Sequence, residues 1–353
     1  MLHGLTLPQL TQKLAAHSLP AHQARLTFQA IHRHGVLDPE KMPGISERCR
    51  NVLLKFPPLP RLSVTSTHAA EDGTLKLQLA TPAGELLECV IIPSQGGAGV
   101  SAGRHGGRHH PATRVTLCLS CQIGCAAGCS FCFTGTMKLQ RNLEPWEITE
   151  QFRLASQHAP RPITNLVFMG MGEPFHNEAH VLQACRIFGE DIGAGFSRRH
   201  IVVSTAGVGN RIRPFWETGA ASLSLSLHAT TDEVRNTLVP LNRRWNLDAL
   251  RKILLDIPWR KNETITIAYL LLSGVNDSQA DAQRLADWCR GLPAKVNLLD
   301  FNAFPGGTYA KVSDSQRAAF RQWLHDYGVF HTLRHSRGDD VMAACGQLAA
   351  RRR

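Results

Sequence analysis

The sequence predicts an α/β protein in which helices cover a parallel β-sheet. From about residue 113 onward, apolar strand-like segments alternate with amphipathic helical segments, which is the pattern of parallel sheets. Hydrophobic residues make up 43% of the 353 residues and charged residues 19%, as in ordinary globular proteins. Such a sheet is either open and doubly wound or a full or partial barrel. In each case the chemistry collects at the C-terminal ends of the strands.

The first part of the chain predicts a small helical unit followed by antiparallel strands. Apolar residues at helical spacing predict helices in 7–16, 22–35 and 45–56, and Pro57, Pro58 and Pro60 close this unit. Alternating residues then predict three strands that form a hairpin or β-extension, at 63–67, 74–81 and 86–93. Residues 94–112 hold six glycines, three histidines and no acid, which predicts a solvated loop.

The remaining elements supply the strand–helix alternation. Helices are predicted at 146–158 and 280–291 because their apolar residues recur at helical spacing. Between and around them, apolar runs bounded by turn residues predict five strands, at 164–171, 200–207, 222–229, 264–272 and 295–302.

The charge of the chain favours a polyanionic partner. Lys and Arg number 39 and Asp and Glu 28, which gives a net charge of +11. The first 61 residues hold eight of these cations against three acids, and the chain ends in Arg351, Arg352 and Arg353. Such an excess favours nucleic acid, although a merely basic surface has the same composition. Because we find neither a signal peptide nor an apolar run of about 18 residues, we expect a cytoplasmic protein without a membrane partner.

Five of the ten cysteines fall within residues 118–132, and their spacing indicates a metal centre. Two C-x2-C pairs separated by seven residues could ligate a structural zinc ion, but this separation is tight for a zinc ribbon. Alternatively, Cys125, Cys129 and Cys132 could ligate three irons of an iron–sulfur cube and leave the fourth iron free to bind a small molecule. In a cytoplasmic protein, clustered cysteines indicate metal or redox chemistry more often than structural disulfides.

The residues around these cysteines resemble the signature of the radical S-adenosylmethionine (SAM) superfamily. The segment C-A-A-G-C-S-F-C places Phe131 directly before the last cysteine, and F-M-G-M-G-E-P-F at 168–175 ends a predicted strand. The resemblance implies a partial (β/α)6 barrel and a [4Fe–4S] cluster whose free iron chelates SAM. It also implies that Gly172 and Glu173 hold the methionine amino group of SAM.

Further segments resemble the radical SAM methyltransferases that methylate ring carbons of adenine in RNA. These segments are T-L-C-L-S-C-Q-I-G-C, S-L-H-A-T-T-D-E-V-R with V-P-L-N-R-R-W-N, and R-G-D-D-V-M-A-A-C-G-Q-L-A, so the resemblance covers nearly the whole chain. In that family one SAM methylates a cysteine and a second yields the 5′-deoxyadenosyl radical, which removes hydrogen from the methylthio group. The methylene radical then adds to adenine, and a second cysteine releases the product by forming a disulfide.

The resemblance assigns a role to residues outside the cluster. It implies that Cys345 carries the methyl group, that Cys118 is the resolving thiol, and that Glu88 accepts the proton of the adenine carbon. Contacts to SAM are implied for Ser204, Ser226, Leu227, His228 and Asn302. Taken singly, each of these side chains would have a structural explanation, such as a buried thiol or a turn residue. Cys49, Cys89, Cys185 and Cys289 lack ligand spacing and are expected to be ordinary thiols.

Several positions bear on the target carbon. T-G after Cys132 and I-A-Y at 267–269 are similar to the branch that methylates C8 and confers antibiotic resistance, whereas G-E-P is typical of the C2 branch. Cys121 stands where the family usually has serine, and the loop at 94–112 is longer than usual. We expect C2 of adenine in ribosomal RNA, with transfer RNA as a further substrate, and a monomer served by an electron donor such as a flavodoxin system.

The resemblance also divides the chain into four parts. They are an N-terminal helical RNA-binding accessory domain (1–60), a β-extension with a glycine-rich loop (61–112), the radical SAM partial barrel (113–335) and a C-terminal segment that carries the methyl-accepting cysteine (336–353).

Overall fold

The structure, a computed structural model, describes residues 1–94 and 114–350. Most of the glycine-rich loop and the three terminal arginines therefore lie outside the described residues. Within the described part of the chain, one ten-stranded sheet runs in the order β1-β2-β3-β4-β7-β8-β9-β10-β11-β12, and β5 and β6 form a separate pair. The strands are β1 (Ser63–Ala69), β2 (Leu75–Ala80), β3 (Leu86–Pro93), β4 (Val115–Cys118), β5 (Gln122–Ile123), β6 (Arg141–Asn142), β7 (Asn165–Phe168), β8 (Ile201–Thr205), β9 (Ser222–Ser226), β10 (Ile265–Leu271), β11 (Ala294–Asp300) and β12 (His331–Arg334).

The main sheet joins an antiparallel part to a parallel part at β4. Strands β1 to β4 pair antiparallel, and the strands from β4 through β7 to β12 pair parallel. The α/β class and the parallel, helix-covered sheet are confirmed. The β-extension is not a separate hairpin but continues the barrel sheet, because Val90 of β3 pairs with Cys118 of β4. Strands β4 and β12 were not predicted, although β7 is equally short, because they lack the longer apolar run (164–171) in which β7 lies.

Ten α-helices accompany the strands in the described residues, and the two predicted barrel helices are among them. Helix α4 begins after Glu144, which forms a capping box with Glu147 and precedes Pro145 at the first helical position. No helix of the described residues is long and apolar enough to cross a membrane. The helices are α1 (Leu7–Ala15), α2 (Ala21–His32), α3 (Glu47–Leu54), α4 (Pro145–His158), α5 (Glu178–Gly189), α6 (Gly209–Glu217), α7 (Asp232–Leu238), α8 (Leu247–Leu255), α9 (Gln279–Cys289) and α10 (Asp314–Asp326).

The first three helices share an apolar cluster of their own. Its buried members run from Leu2 to Leu53 and include Phe28, and Ile187 of α5 joins them from the barrel side. The hydroxyl of Thr149 on α4 donates to the carbonyl oxygen of His3 at 3.2 Å. Helices α4 and α5 therefore hold the N-terminal helices against the outside of the barrel.

A separate apolar cluster lies at the C-terminal ends of the parallel strands. It contains buried side chains that follow β8, β9, β10 and β11, and Cys129, Phe131 and Phe133 pack against it. The cysteine-rich loop after β4 therefore closes the end of the sheet at which α/β proteins place their functional residues.

Candidate active site

A cavity of about 1120 Å³, counting space open to solvent, lies at this end of the sheet. Its walls come from the cysteine-rich loop, the ends of the parallel strands and the C-terminal segment. The structure thus brings together residues from eight separate stretches of sequence. Nine of the predicted site residues line it, namely Cys125, Cys129, Cys132, Gly172, Glu173, Ser204, Ser226, His228 and Cys345.

Two glycines let the cysteine-rich loop fold back on itself. Gly124 has a positive φ of 77°, and a Cβ there would meet the carbonyl oxygen of Lys138 at 2.1 Å. A Cβ on Gly135 would meet the carbonyl oxygen of Cys129 at 2.3 Å. Only glycine allows such close backbone approach. The segment after Cys132 is therefore pressed against the cysteines and fixes their positions.

The three cysteines of this loop fit the ligand set of an iron–sulfur cluster. Cys125, Cys129 and Cys132 are free thiols in the wall of one cavity. An iron–sulfur cube takes one thiolate on each of three different irons, and these three neighbouring thiols can supply that donor set.

The G-E-P segment is buried beside the cysteine loop. Gly172 has a φ of 106°, and a Cβ there would meet Cβ of Gln122 at 2.6 Å. The carboxylate of Glu173 accepts hydrogen bonds from the backbone N–H groups of Ala206 at 2.7 Å and Phe175 at 3.0 Å. Burial raises the pKa of Glu173, whereas these N–H donors act to lower it. Glu173 is thus a fixed, buried acceptor at the cavity wall.

The ends of β8 and β9 place three polar side chains in the cavity. The hydroxyls of Ser204 and Ser226 lie 3.3 Å apart. His228 has a left-handed backbone with a φ of 59°, and its Nδ1 accepts from the N–H of Leu270 at 3.1 Å. Burial lowers the pKa of His228 to about 3, and the nearby charge of Arg235 acts in the same direction. His228 is therefore neutral and carries its proton on Nε2.

Cys118 and Asn302 lie in a second cavity, which adjoins the first. Cys345 lines both cavities, together with Met169, Leu299, Arg334 and Leu348. Cys345 is exposed and Cys118 is buried. Burial raises the pKa of the Cys118 thiol to about 12, and Arg334 acts to lower it. The two thiols assigned to methyl transfer and resolution thus share one space.

Three predicted residues have contacts other than the expected ones. Asn302 donates to the carbonyl oxygen of Cys345 at 3.2 Å and so holds the C-terminal segment. Leu227 is fully buried, and its backbone bonds to Ala268 and Arg235. Glu88 borders neither cavity and lies under the C-terminal segment, where it accepts from the N–H of Ala349 at 3.0 Å.

Two cations at this site are not predicted by the sequence patterns. Arg235 is fully buried and donates to the carbonyl oxygens of Ala206, Ser226 and Leu227, which follow β8 and β9. Arg334 ends β12 and lines both cavities. The D-E-V-R segment pointed to Arg235 only through the family pattern. Arg334 could have been found only by recognising β12 as a barrel strand.

Comparison with known proteins agrees with this geometry. The model of the radical SAM superfamily matches residues 119–286. The dual-specificity RNA methyltransferase RlmN of Dinoroseobacter shibae is 39% identical over 365 residues, covering 98% of this chain and 88% of the relative. RlmN of Anaeromyxobacter dehalogenans is 38% identical and covers 99% of this chain and 91% of the relative. The crystal structure of a radical SAM methyltransferase from Sphaerobacter thermophilus superposes with a TM-score of 0.86 at 37% identity, over 98% of both chains.

The identity extends across the N-terminal helices, the barrel and the C-terminal segment, so it is not confined to the superfamily's common core. Radical SAM proteins use a [4Fe–4S] cluster and SAM, which agrees with the donor set of the cavity. The chain belongs to the family of the radical SAM methyltransferase RlmN.

Proposed function

We propose that this protein methylates a ring carbon of adenine in RNA, with C2 as the target, and that Cys345 carries the methyl group. The observation that carries the proposal is the position of Cys345, an exposed thiol in the wall of the cavity that also contains the three cluster cysteines. The RlmN relatives are named dual-specificity RNA methyltransferases, which supports RNA as the substrate. Retention of G-E-P at 172–174 favours C2 over C8.

The residues of the cavity divide between cofactor and methyl carrier. Cys125, Cys129 and Cys132 would hold the cluster, and Glu173, Ser204, Ser226 and His228 would hold SAM. When bound, the cluster and SAM supply the 5′-deoxyadenosyl radical, which can activate a methyl group that is not acidic. The apolar walls, including Phe131, Phe168, Leu270 and Phe301, would exclude water from the reacting groups.

Cys118 and Glu88 would complete the reaction on the other side of Cys345. Glu88 would take the proton that the adenine carbon loses when the methylene group is attached, and the electron that leaves with it would return to the bound cluster. The Cys118 thiol would then attack the sulfur of Cys345 and release its proton. The new disulfide bond forms as the carbon–sulfur bond breaks, and the base keeps the carbon and gains a proton. Both thiols line the second cavity, which supports this pairing.

The wider assignments follow from charge and family. The basic excess of the chain would give salt-dependent affinity for RNA phosphates, and the target adenine must leave its stack to reach the cavity. We further propose ribosomal RNA and transfer RNA as substrates, the N-terminal helices as an RNA-binding accessory domain, and a cytoplasmic monomer that receives electrons from a donor such as a flavodoxin.

The test is mass spectrometry of nucleosides from ribosomal and transfer RNA of a deletion strain. We expect 2-methyladenosine to disappear from both RNAs and to return when the wild-type gene is restored. Disappearance of 8-methyladenosine instead would move the target to C8, as T-G after Cys132 and I-A-Y would favour. Unchanged methyladenosines would refute the proposed function.

Metal analysis separates the proposal from a zinc-stabilised RNA-binding module. Protein purified without oxygen should contain iron and acid-labile sulfide and absorb in the thiolate-to-iron region. Zinc without sulfide would establish the binding module instead.

A further inference from the structure

Lys76 is a buried lysine to which the proposed reaction assigns no role. It lies on β2, its side chain is 10% exposed, and its Nζ is 3.5 Å from Oε1 of Glu88, whose side chain is 4% exposed. The register pairs Gln78 with Glu88 and Lys76 with Val90, so Lys76 and Glu88 are diagonal neighbours on one face of the sheet. Cys118 pairs with Val90 on the next strand and therefore projects from the same face.

The same ammonium group also contacts the C-terminal segment. Nζ of Lys76 donates to the carbonyl oxygen of Met342 at 3.1 Å, and Met342 has a left-handed backbone with a φ of 54°. The other oxygen of the Glu88 carboxylate, Oε2, accepts from the N–H of Ala349 at 3.0 Å. The Lys76–Glu88 pair thus bonds to the chain on both sides of Cys345, three residues before it and four residues after it.

A buried lysine of this kind has an electrostatic effect on its partner. Burial raises the pKa of Glu88, whereas the charge of Lys76 and the N–H of Ala349 act to lower it. A carboxylate can accept a proton only while it is ionised. Without Lys76, Glu88 would be an uncompensated buried charge, which favours the protonated form.

We propose that Lys76 is a positioning residue for methyl transfer to RNA: its ammonium group balances the charge of the Glu88 carboxylate and holds that carboxylate beneath the segment that carries Cys345. This inference rests on the proposed role of Glu88 as proton acceptor. Lys76 itself does not touch the substrate. Its two bonds tie the Glu88 carboxylate to the C-terminal segment at Met342, three residues before Cys345.

The test compares Lys76→Met, Lys76→Arg and Glu88→Gln in the holoenzyme, with Lys295→Met as the matched control because Lys295 is an exposed lysine on β11. RNA methylation by Lys76→Met should fall by about 100-fold, the size of a general-base contribution, and Lys76→Arg and Lys295→Met should stay within about threefold of wild type. Lys76→Met should still bind iron, cleave SAM to 5′-deoxyadenosine and carry a methyl group on Cys345, because those steps do not use Glu88.

A double-mutant cycle excludes a merely structural role. If Lys76 acts through Glu88, the Lys76→Met/Glu88→Gln protein loses no more RNA methylation than Glu88→Gln alone. Additive losses, or equal loss of Cys345 methylation and RNA methylation in Lys76→Met, would overturn the inference. If Lys76→Met does not fold, Lys76→Arg decides, since it retains the charge, and activity below a tenth of wild type counts against the proposal.

The outcomes also separate this inference from the proposed function. An inactive Glu88→Gln protein with a fully active Lys76→Met protein would refute the role of Lys76 alone. A fully active Glu88→Gln protein would refute the assignment of Glu88, and with it the premise of the inference.

Discussion

The cysteine-rich loop and the C-terminal segment line one cavity and touch each other, but they are held by different contacts. The loop is fixed by backbone packing that only glycine permits, at Gly124 and Gly135. The C-terminal segment has little regular structure of its own. It is held by the burial of Ala343, Leu348 and Ala350 in the main apolar cluster and by single hydrogen bonds, among them those from Lys76, Asn302 and Thr134. Such bonds are individually worth about 1 kcal/mol. The comparison indicates a rigid loop that binds the cofactor and a methyl-carrying segment whose hydrogen bonds can be broken one at a time.

Removing a cluster thiol should have the largest effect. We expect Cys129→Ala to purify with almost no iron or sulfide and to show no SAM cleavage, because each cysteine of the loop would ligate a different iron. The control is Cys289→Ala on α9, which should retain its iron. A Cys129→Ala protein with a full complement of iron would show that the loop is not the seat of the cluster.

Removing the methyl carrier should abolish RNA methylation but leave the cofactor-binding residues intact. Cys345→Ala should bind iron and SAM as the wild type does, because Cys345 is not one of the proposed cluster ligands. Cys118→Ala should instead stop with the protein covalently attached to RNA, since no thiol is left to release the base. Mass spectrometry of the protein after turnover distinguishes the two. RNA methylation by Cys345→Ala would contradict the division of roles.

Adding one methyl group at the loop crossing should have an intermediate effect. The Cβ of Gly135→Ala would lie 2.3 Å from the carbonyl oxygen of Cys129, so the loop must shift at a cost of about 1–3 kcal/mol. Chemical denaturation and iron content measure the result. The same substitution at Gly189, where the nearest atom is at 3.6 Å, should leave both unchanged. Equal behaviour of the two variants would argue against a rigid loop.

Removing a single hydrogen bond that holds the C-terminal segment should have the smallest effect. The hydroxyl of Thr134 donates to the carbonyl oxygen of Leu348 at 2.5 Å, so Thr134→Val should free the C-terminal segment by about 0.5–1.5 kcal/mol. Hydrogen exchange of the peptide containing Cys345 should be up to about tenfold faster. Thr136→Val removes an exposed hydroxyl from the same turn and serves as the control. Global unfolding of Thr134→Val would place the segment in the rigid part of the molecule.

The two regions also differ in how far sequence alone predicts them. The cysteine loop is local: its ligands, Phe131 and the glycines follow each other within a few residues, so spacing is sufficient. The contacts that hold the C-terminal segment are not local. Lys76 and Met342, for example, are far apart in sequence and come together only because of the register of the sheet. No periodicity predicts that Asn302 will bond to the backbone of Cys345 or that Arg235 will be buried among carbonyl oxygens.

The fold shows the same contrast. Long apolar strands such as β10 and β11 stand out from their flanking turns, and so does the short β7 within the apolar run 164–171, whereas β4 and β12 do not. Because β12 was not predicted, Arg334 at its end was not recognised as a residue of the site. Joining β3 to β4 turned the predicted hairpin into part of the barrel sheet, and this join is what brings Glu88 next to the strand of Cys118.

Ile187 gives helix α5 a place in two parts of the molecule. Its side chain packs in the N-terminal apolar cluster, and α5 begins just after the G-E-P turn that borders the cavity. An RNA bound to the first three helices would therefore be held at a fixed position relative to the cofactor cavity, and not by a domain that moves independently of it. The distance between the RNA contacts of these helices and the reacting base would then be fixed. The protein would select RNAs by that distance as much as by the target base.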